Sequence, residues 1–102
     1  MKNPFETKIK AWAKEDASIA QALEIAYRAH QGQFDKAGVS YIMHPISVAL
    51  GMGEPRDTKA VVVALLHDVL EDTTVTQQEL ASIFPPEIID AIVALTRQAD
   101  ED

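Results

Sequence analysis

Between Ala60 and Leu70 every residue is apolar except His67 and Asp68. A helix of that composition is hydrophobic on all sides, so it belongs at the centre of a helical bundle and not on its surface. Its longest unbroken apolar run, Ala60 to Leu66, is seven residues, far short of the ~18 needed to span a bilayer. The imidazole and the carboxylate near its end then set the problem. Two polar groups on a buried helix carry a large desolvation cost unless each finds a partner.

The flanking sequence reads as more helices. Asn3 followed by Pro4 is an N-cap with proline at the first helical position, predicting a short helix to about Lys14. Asp16 caps the next, from Ala17 to about His30, with Ile19, Leu23, Ala26 and Tyr27 at helical spacing. Gln31 to Gly38 is a loop, and Tyr41 and Ile42 are expected to run extended into Pro45. A helix then starts at Pro45, carried by Ile46, Val48, Ala49 and Leu50 to a stop at Gly51-Met52-Gly53. After Glu54-Pro55-Arg56, Asp57 caps the central helix, which is expected to end near Glu71. Thr76-Gln77-Gln78-Glu79 reads as a capping box for a short helix ending near Phe84. Pro86 opens the last one, with Ile88, Ile89, Ile92, Val93 and Leu95 apolar, and Gln98 to Asp102 form a polar end. No segment alternates with period two, so the expected fold is an all-α bundle of five to six helices in a single domain over residues 1–102.

Charge and cysteine content narrow the chemistry. Sixteen carboxylates against nine Lys and Arg give a net charge of -7 with no local basic patch, which argues against DNA or RNA as a partner. Nothing suggests a membrane: the opening MKNPFETKIKAWAKED has no apolar signal core. Cysteine is absent, so any metal must sit on His, Asp or Glu, and a reducing cytoplasm is the expected location.

On a helix with about 100° per residue, His67, Asp68, Glu71 and Asp72 fall at roughly 0°, 100°, 40° and 140°, on one face. A divalent cation would satisfy the imidazole and the carboxylate together, and their donor atoms suit manganese, iron or zinc. Equally, His67 could hydrogen-bond a backbone carbonyl while Asp68 caps or pairs locally. Beside a metal, Glu71 and Asp72 would be placed to orient a water or receive its proton; otherwise they are solvated. His44, just before Pro45, is a second candidate ligand, with a surface loop histidine as the alternative. His30 is read as a structural residue favoured by the helix C-terminus.

Three segments in series, Ala29-His30-Gln31-Gly32-Gln33-Phe34, Tyr41-Ile42-Met43-His44-Pro45 and Ala64-Leu65-Leu66-His67-Asp68-Val69-Leu70-Glu71-Asp72-Thr73, resemble the hydrolase half of the RelA/SpoT family and its short, hydrolase-only relatives. Ile83-Phe84 and Ala94-Leu95-Thr96 follow the same pattern, so the likeness covers about Ala22 to Thr96. It implies an all-α HD domain that binds one manganese ion and removes the 3′-pyrophosphate of guanosine tetra- or pentaphosphate. By the same likeness His44, His67 and Asp68 are metal ligands, Glu71 and Asp72 position and activate the attacking water, and Lys36 lies near the substrate.

The chain departs from the family at two places. Asp35 stands where the family has an Arg that stacks on the guanine base, and a carboxylate there repels phosphate and loses the stacking contact. The family's fourth ligand, an aspartate in a later Ala-Asp-Arg type helix, and a nearby substrate-binding Asn have no counterpart, which makes the expected HD domain incomplete at its C-terminus. Asp100 or Asp102, from this chain or a second subunit, is an alternative donor. A bundle lacking its closing helices should expose apolar surface and favour a homodimer. Beside the hydrolase reading stand an impaired HD remnant that binds metal or nucleotide as an interaction module, and a fragment of a longer hydrolase.

Overall fold

The structure, a computed structural model, describes residues 4–51 and 57–100. Six helices follow one another in these residues: α1 (Pro4–Glu15), α2 (Ala17–Ala29), α3 (Met43–Leu50), α4 (Thr58–Asp72), α5 (Gln77–Ala81) and α6 (Pro86–Asp100). There is no strand among the described residues, and the all-α expectation holds. No helix is long and apolar enough to cross a membrane among these residues.

The all-round apolar helix is the centre, as its composition requires. α4 packs on α2, α3 and α6, and Val61, Val62, Ala64, Leu65, Leu66 and Val69 are buried. α1 lies across α2 and α3 and contributes Ile9 and Trp12 to the same core. From α6, Ile88, Ile89 and Ile92 are buried, whereas Leu95 is 39% exposed and stands outside the core.

Caps set where the helices start. The Asp57 carboxylate accepts the Ala60 N–H at 3.3 Å, and the Thr76 hydroxyl accepts that of Glu79 at 3.2 Å. Asp16 does more: one carboxylate oxygen accepts the N–H groups of Ser18 (2.9 Å) and Ile19 (3.4 Å), and the other accepts the Thr58 hydroxyl. The first turn of α2 is thereby tied to the first residue of α4. At the far end the Gln33 side chain, three residues past α2's C-cap His30, reaches the Asp72 carbonyl. The two helices therefore run in the same direction, and both bring their C-terminal ends to one place.

Two boundaries differ from the sequence expectation. α3 begins at Met43, two residues ahead of Pro45, and Ile42 is helical (φ -55°, ψ -25°) instead of extended. Pro45 then sits in the first turn, where its missing N–H has no intrahelical acceptor to lose. The turn is nucleated by Met43 N–H donating to Ser40 (3.1 Å) and His44 N–H donating to Tyr41 (3.0 Å). α5 is shorter than expected, and tight turns carry the chain from Ser82 to the buried Phe84. The 31–40 loop is a compact hairpin with one antiparallel bridge, Phe34 to Ser40. Gly38 turns it at φ +82°, a conformation that favours glycine. Asn3, the Met52-Gly53 part of the expected stop and the Glu54-Pro55-Arg56 loop lie outside the described residues.

Candidate metal centre and active site

Three chain segments converge where α2 and α4 end and α3 begins. On α4, the Nδ1 of His67 lies 3.0 Å from the Ala64 carbonyl oxygen. A carbonyl can only accept, so Nδ1 carries the proton and Nε2 is left facing outward. That Nε2 is 3.0 Å from Asp68 Oδ1. Asp68 Oδ2 in turn lies 3.6 Å from Nε2 of His44, in the first turn of α3. Asp68 is thus flanked by both histidines, one at each oxygen. Its side chain is only 10% exposed, against 58% for His44, so solvent reaches the group from the His44 side.

The electrostatics follow from this packing. The hydrogen bond with Asp68 holds the His67 imidazolium above its ordinary range, outweighing desolvation, and the same bond holds the Asp68 carboxyl below the usual carboxylate range. With Nδ1 committed to Ala64, a neutral His67 would aim a lone pair at a carboxylate oxygen. A proton on Nε2 therefore lies between the imidazole and Asp68 in the metal-free chain, and imidazole nitrogen beside carboxylate oxygen is a donor type that a divalent ion also accepts. His44 and His67 approach opposite oxygens, and no group of three or more His, Asp and Glu among the described residues forms a ready metal-holding set. Of the two alternatives for His67, these contacts are those of the second: Nδ1 binds the backbone and Nε2 pairs with the neighbouring carboxylate.

Glu71 and Asp72 are exposed on the last turn of α4. Asp72 joins the cluster through Tyr41, whose hydroxyl is 3.2 Å from Asp68 Oδ2 and 3.4 Å from Asp72 Oδ2. Burial, and then the charges of Asp68 and Asp72, push the Tyr41 phenol up to about 12, so it remains a donor near neutral pH. The Tyr41 ring lies against His30 (centroids 4.9 Å apart) and His44 (5.8 Å). His30 is 1% exposed, and its Nδ1 is 3.0 Å from Gln33 Oε1.

Lys36 sits at the exposed tip of the hairpin and Asp35 at its base. Asp35 closes the loop on itself, its Oδ1 accepting the N–H groups of Ala37 and Val39 at 2.9 Å each. It also lines a cavity of about 280 Å³ together with Ser40, Tyr41 and His44. His44, His67, Asp68 and Asp72 are therefore brought together. Glu71 is an exposed neighbour, and Lys36 does not line this cavity. Asp100 belongs to α6, with its side chain outside what the structure describes, and Asp102 lies outside the described residues.

Tyr41 and Gln33 are the residues that sequence reasoning missed. The available signal was spacing: Tyr41 precedes His44 by three, and Gln33 follows His30 by three, each one turn away.

Comparison with known proteins agrees with this architecture. Residues 22–101 match the HD domain family. A guanosine-3′,5′-bis(diphosphate) 3′-pyrophosphohydrolase of Borreliella burgdorferi is 45% identical over 87 residues, 84% of this chain and 13% of the relative. A GTP pyrophosphokinase of Myxococcus xanthus is 38% identical over 80 residues, 78% of this chain and 11% of that protein. The bifunctional (p)ppGpp synthase/hydrolase SpoT of Escherichia coli K12 is 34% identical over 92 residues, 87% and 13% respectively. The chain thus spans about one-eighth of the length of these curated relatives.

Proposed function

The chain belongs to the HD-domain family, in its RelA/SpoT branch, and from that premise we propose that it is a metal-dependent phosphohydrolase releasing the 3′-pyrophosphate of guanosine tetra- or pentaphosphate. The observation that carries the reading is Asp68 set between the Nε2 atoms of His44 and His67, with the proton on the other His67 nitrogen fixed by Ala64. These three side chains would hold the ion. Manganese is the ion implied by the family likeness, and iron or zinc suits the same donors. A bound divalent ion lowers the pKa of a water and polarises the phosphate.

The remaining steps belong to the chain's own groups. Asp72 and Glu71 lie at the exposed end of α4, open to solvent and able to accept a proton from an attacking water. Tyr41 donates to the Asp68–Asp72 pair and keeps one carboxylate near the other. Lys36, at the exposed hairpin tip, would by the family likeness meet an arriving phosphate. The cytoplasmic location is supported by the absence of cysteine.

A second reading is a module that holds ion or nucleotide without turnover. It is favoured by Asp35, a carboxylate lining the cavity beside His44 and Tyr41. The deciding experiment is pyrophosphate release from ppGpp by the purified chain, with and without manganese, beside His67→Ala. Release that needs manganese and disappears in His67→Ala is expected. No release by a chain that still binds manganese would overturn the hydrolase reading and leave the module.

A further inference from the structure

The geometry points to Tyr41 as a positioning residue, whose hydroxyl holds the Asp72 carboxylate in register with Asp68 while His30 and Gln33 fix the tyrosine and the end of α4. The inference rests on the reading above, in which Asp68 faces the ion and Asp72 takes the proton.

Asp72 is the last residue of α4 and is exposed, so its side chain samples several rotamers unless something holds it. Tyr41 does so, within 3.4 Å of Asp72 and 3.2 Å of Asp68. The tyrosine is itself constrained on three sides. His30 and His44 flank its ring, and its N–H donates to the Gln33 carbonyl at 2.9 Å.

Gln33 closes the frame, and its orientation is fixed by what it meets. The Asp72 carbonyl can only accept, so the Gln33 amide nitrogen faces it, at 3.3 Å. Its oxygen then faces His30, so Nδ1 of His30 is the protonated nitrogen, at 3.0 Å. The other nitrogen, Nε2, is buried without a hydrogen-bond partner. An apolar ring would pack in that place without leaving a polar atom unpaired. What imidazole adds is the bond to Gln33, and through it a hold on the Asp72 backbone. Side chain and main chain of one residue are thus held from the same nine-residue segment, Gln33 to Tyr41.

Tyr41→Phe removes the hydroxyl and keeps the ring. In the metal-free chain with 13C-labelled aspartate, the Cγ resonances of both Asp68 and Asp72 are expected to shift, because the single O–H hydrogen that the two carboxylates share is removed. Movement of neither, or of Asp68 alone, would overturn the inference. With manganese, kcat for pyrophosphate release is expected to fall roughly tenfold, the scale of one hydrogen bond to a charged group. KM should stay within about threefold, and kcat is read at saturating manganese, since Asp68 also loses a hydrogen-bond partner. An unchanged kcat in a manganese-loaded variant would also overturn it. Gln33→Met, which spares the tyrosine, is expected to move the Asp72 resonances and lower kcat as well, and no effect on either would remove Gln33 from the frame. If the unmutated chain releases no pyrophosphate, the hydrolase reading fails and the carboxyl resonances decide the positioning role alone.

Discussion

Asp16→Ala probes what sets α2 and α4 against each other. The substitution removes the N-cap of α2, two backbone N–H groups on one carboxylate oxygen, and the bond from the Thr58 hydroxyl to the other oxygen. The cap is worth about 1 kcal/mol. A hydrogen bond to a charged acceptor adds about 1.5 kcal/mol, giving a loss of about 2.5 kcal/mol. For a 102-residue chain the unfolding entropy is roughly 0.2 kcal/mol/K, so the Tm should fall by about 12 °C. Thr58→Val removes only the tie and should cost about 1 to 1.5 kcal/mol. Since both variants break the same bond, the double variant should fall short of their sum by about 1 kcal/mol. Urea unfolding followed by far-UV circular dichroism measures all three at constant m-value. Strict additivity, or an Asp16→Ala cost below about 0.5 kcal/mol, would show that no such tie exists in solution.

Three further outcomes are expected. In the metal-free chain, raising the His67 pKa above its ordinary 6.5 contributes stability that is complete below about pH 6.5 and lost as pH rises through the raised folded value. Lowering that of Asp68 below 3.8 contributes stability present above about pH 3.8 and lost as pH falls through the depressed value, so urea midpoints should peak between these limits, and His67→Gln should flatten the alkaline decline; persistence of that decline would remove the pair as its cause. Leu66→Ala, at a fully buried position of α4, should cost roughly 3 to 4 kcal/mol, whereas Leu95→Ala, at a 39% exposed one, should cost less than about 1 kcal/mol; equal losses would contradict the packing of α6. Glu71→Gln and Asp72→Asn should each lower kcat by about a hundredfold or more with manganese affinity retained, and loss of manganese binding would move them among the ligands.

How much of this could be read from the chain depends on whether the deciding interaction is local. Asp16, Asp57 and Thr76 cap helices because their oxygens bond N–H groups two or three residues away, and the sequence spacing alone exposes that. The central place of α4 was legible because Val61 to Leu66 leave no face for solvent. The start of α3 differs from the sequence expectation because the turn closed on the Ser40 and Tyr41 carbonyls outweighs the conformational preference before proline. His30 was legible as a helix-end residue, but not as one sealed under Tyr41, since that contact joins residues eleven apart through a hairpin. The Tyr41 bridge spans 27 and 31 residues to its two partners and has no local signature. His44, His67 and Asp68 stood out as residue types, while their arrangement at opposite oxygens of one carboxylate is a tertiary fact.

Electrostatics at the converging helix ends dictate an order of binding. α2 and α4 both terminate here, and each contributes the partial negative charge of a helix C-terminus. Asp68, Glu71 and Asp72 add formal charges on α4, and Asp35 lines the cavity beside His44. Two like charges at about 7 Å repel by roughly 0.6 kcal/mol in water and 2.4 kcal/mol at an effective dielectric of 20. Four carboxylates beside a multiply charged phosphate multiply that penalty, and the exposed Lys36 and a protonated His67 do not together offset it. On the proposed reading, a divalent ion held at Asp68 would reverse the sign at the point where a phosphate would land. Ion binding should therefore precede nucleotide binding, and calorimetry should detect guanosine nucleotide only after manganese is present. Asp35→Asn tests the charge apart from the loop, because the asparagine oxygen can still accept the N–H groups of Ala37 and Val39 that now bond Asp35. It should strengthen nucleotide binding at a fixed manganese concentration, most at low salt, where screening is least. Nucleotide binding of equal strength without manganese, or an unchanged affinity in Asp35→Asn at low salt, would refute the argument.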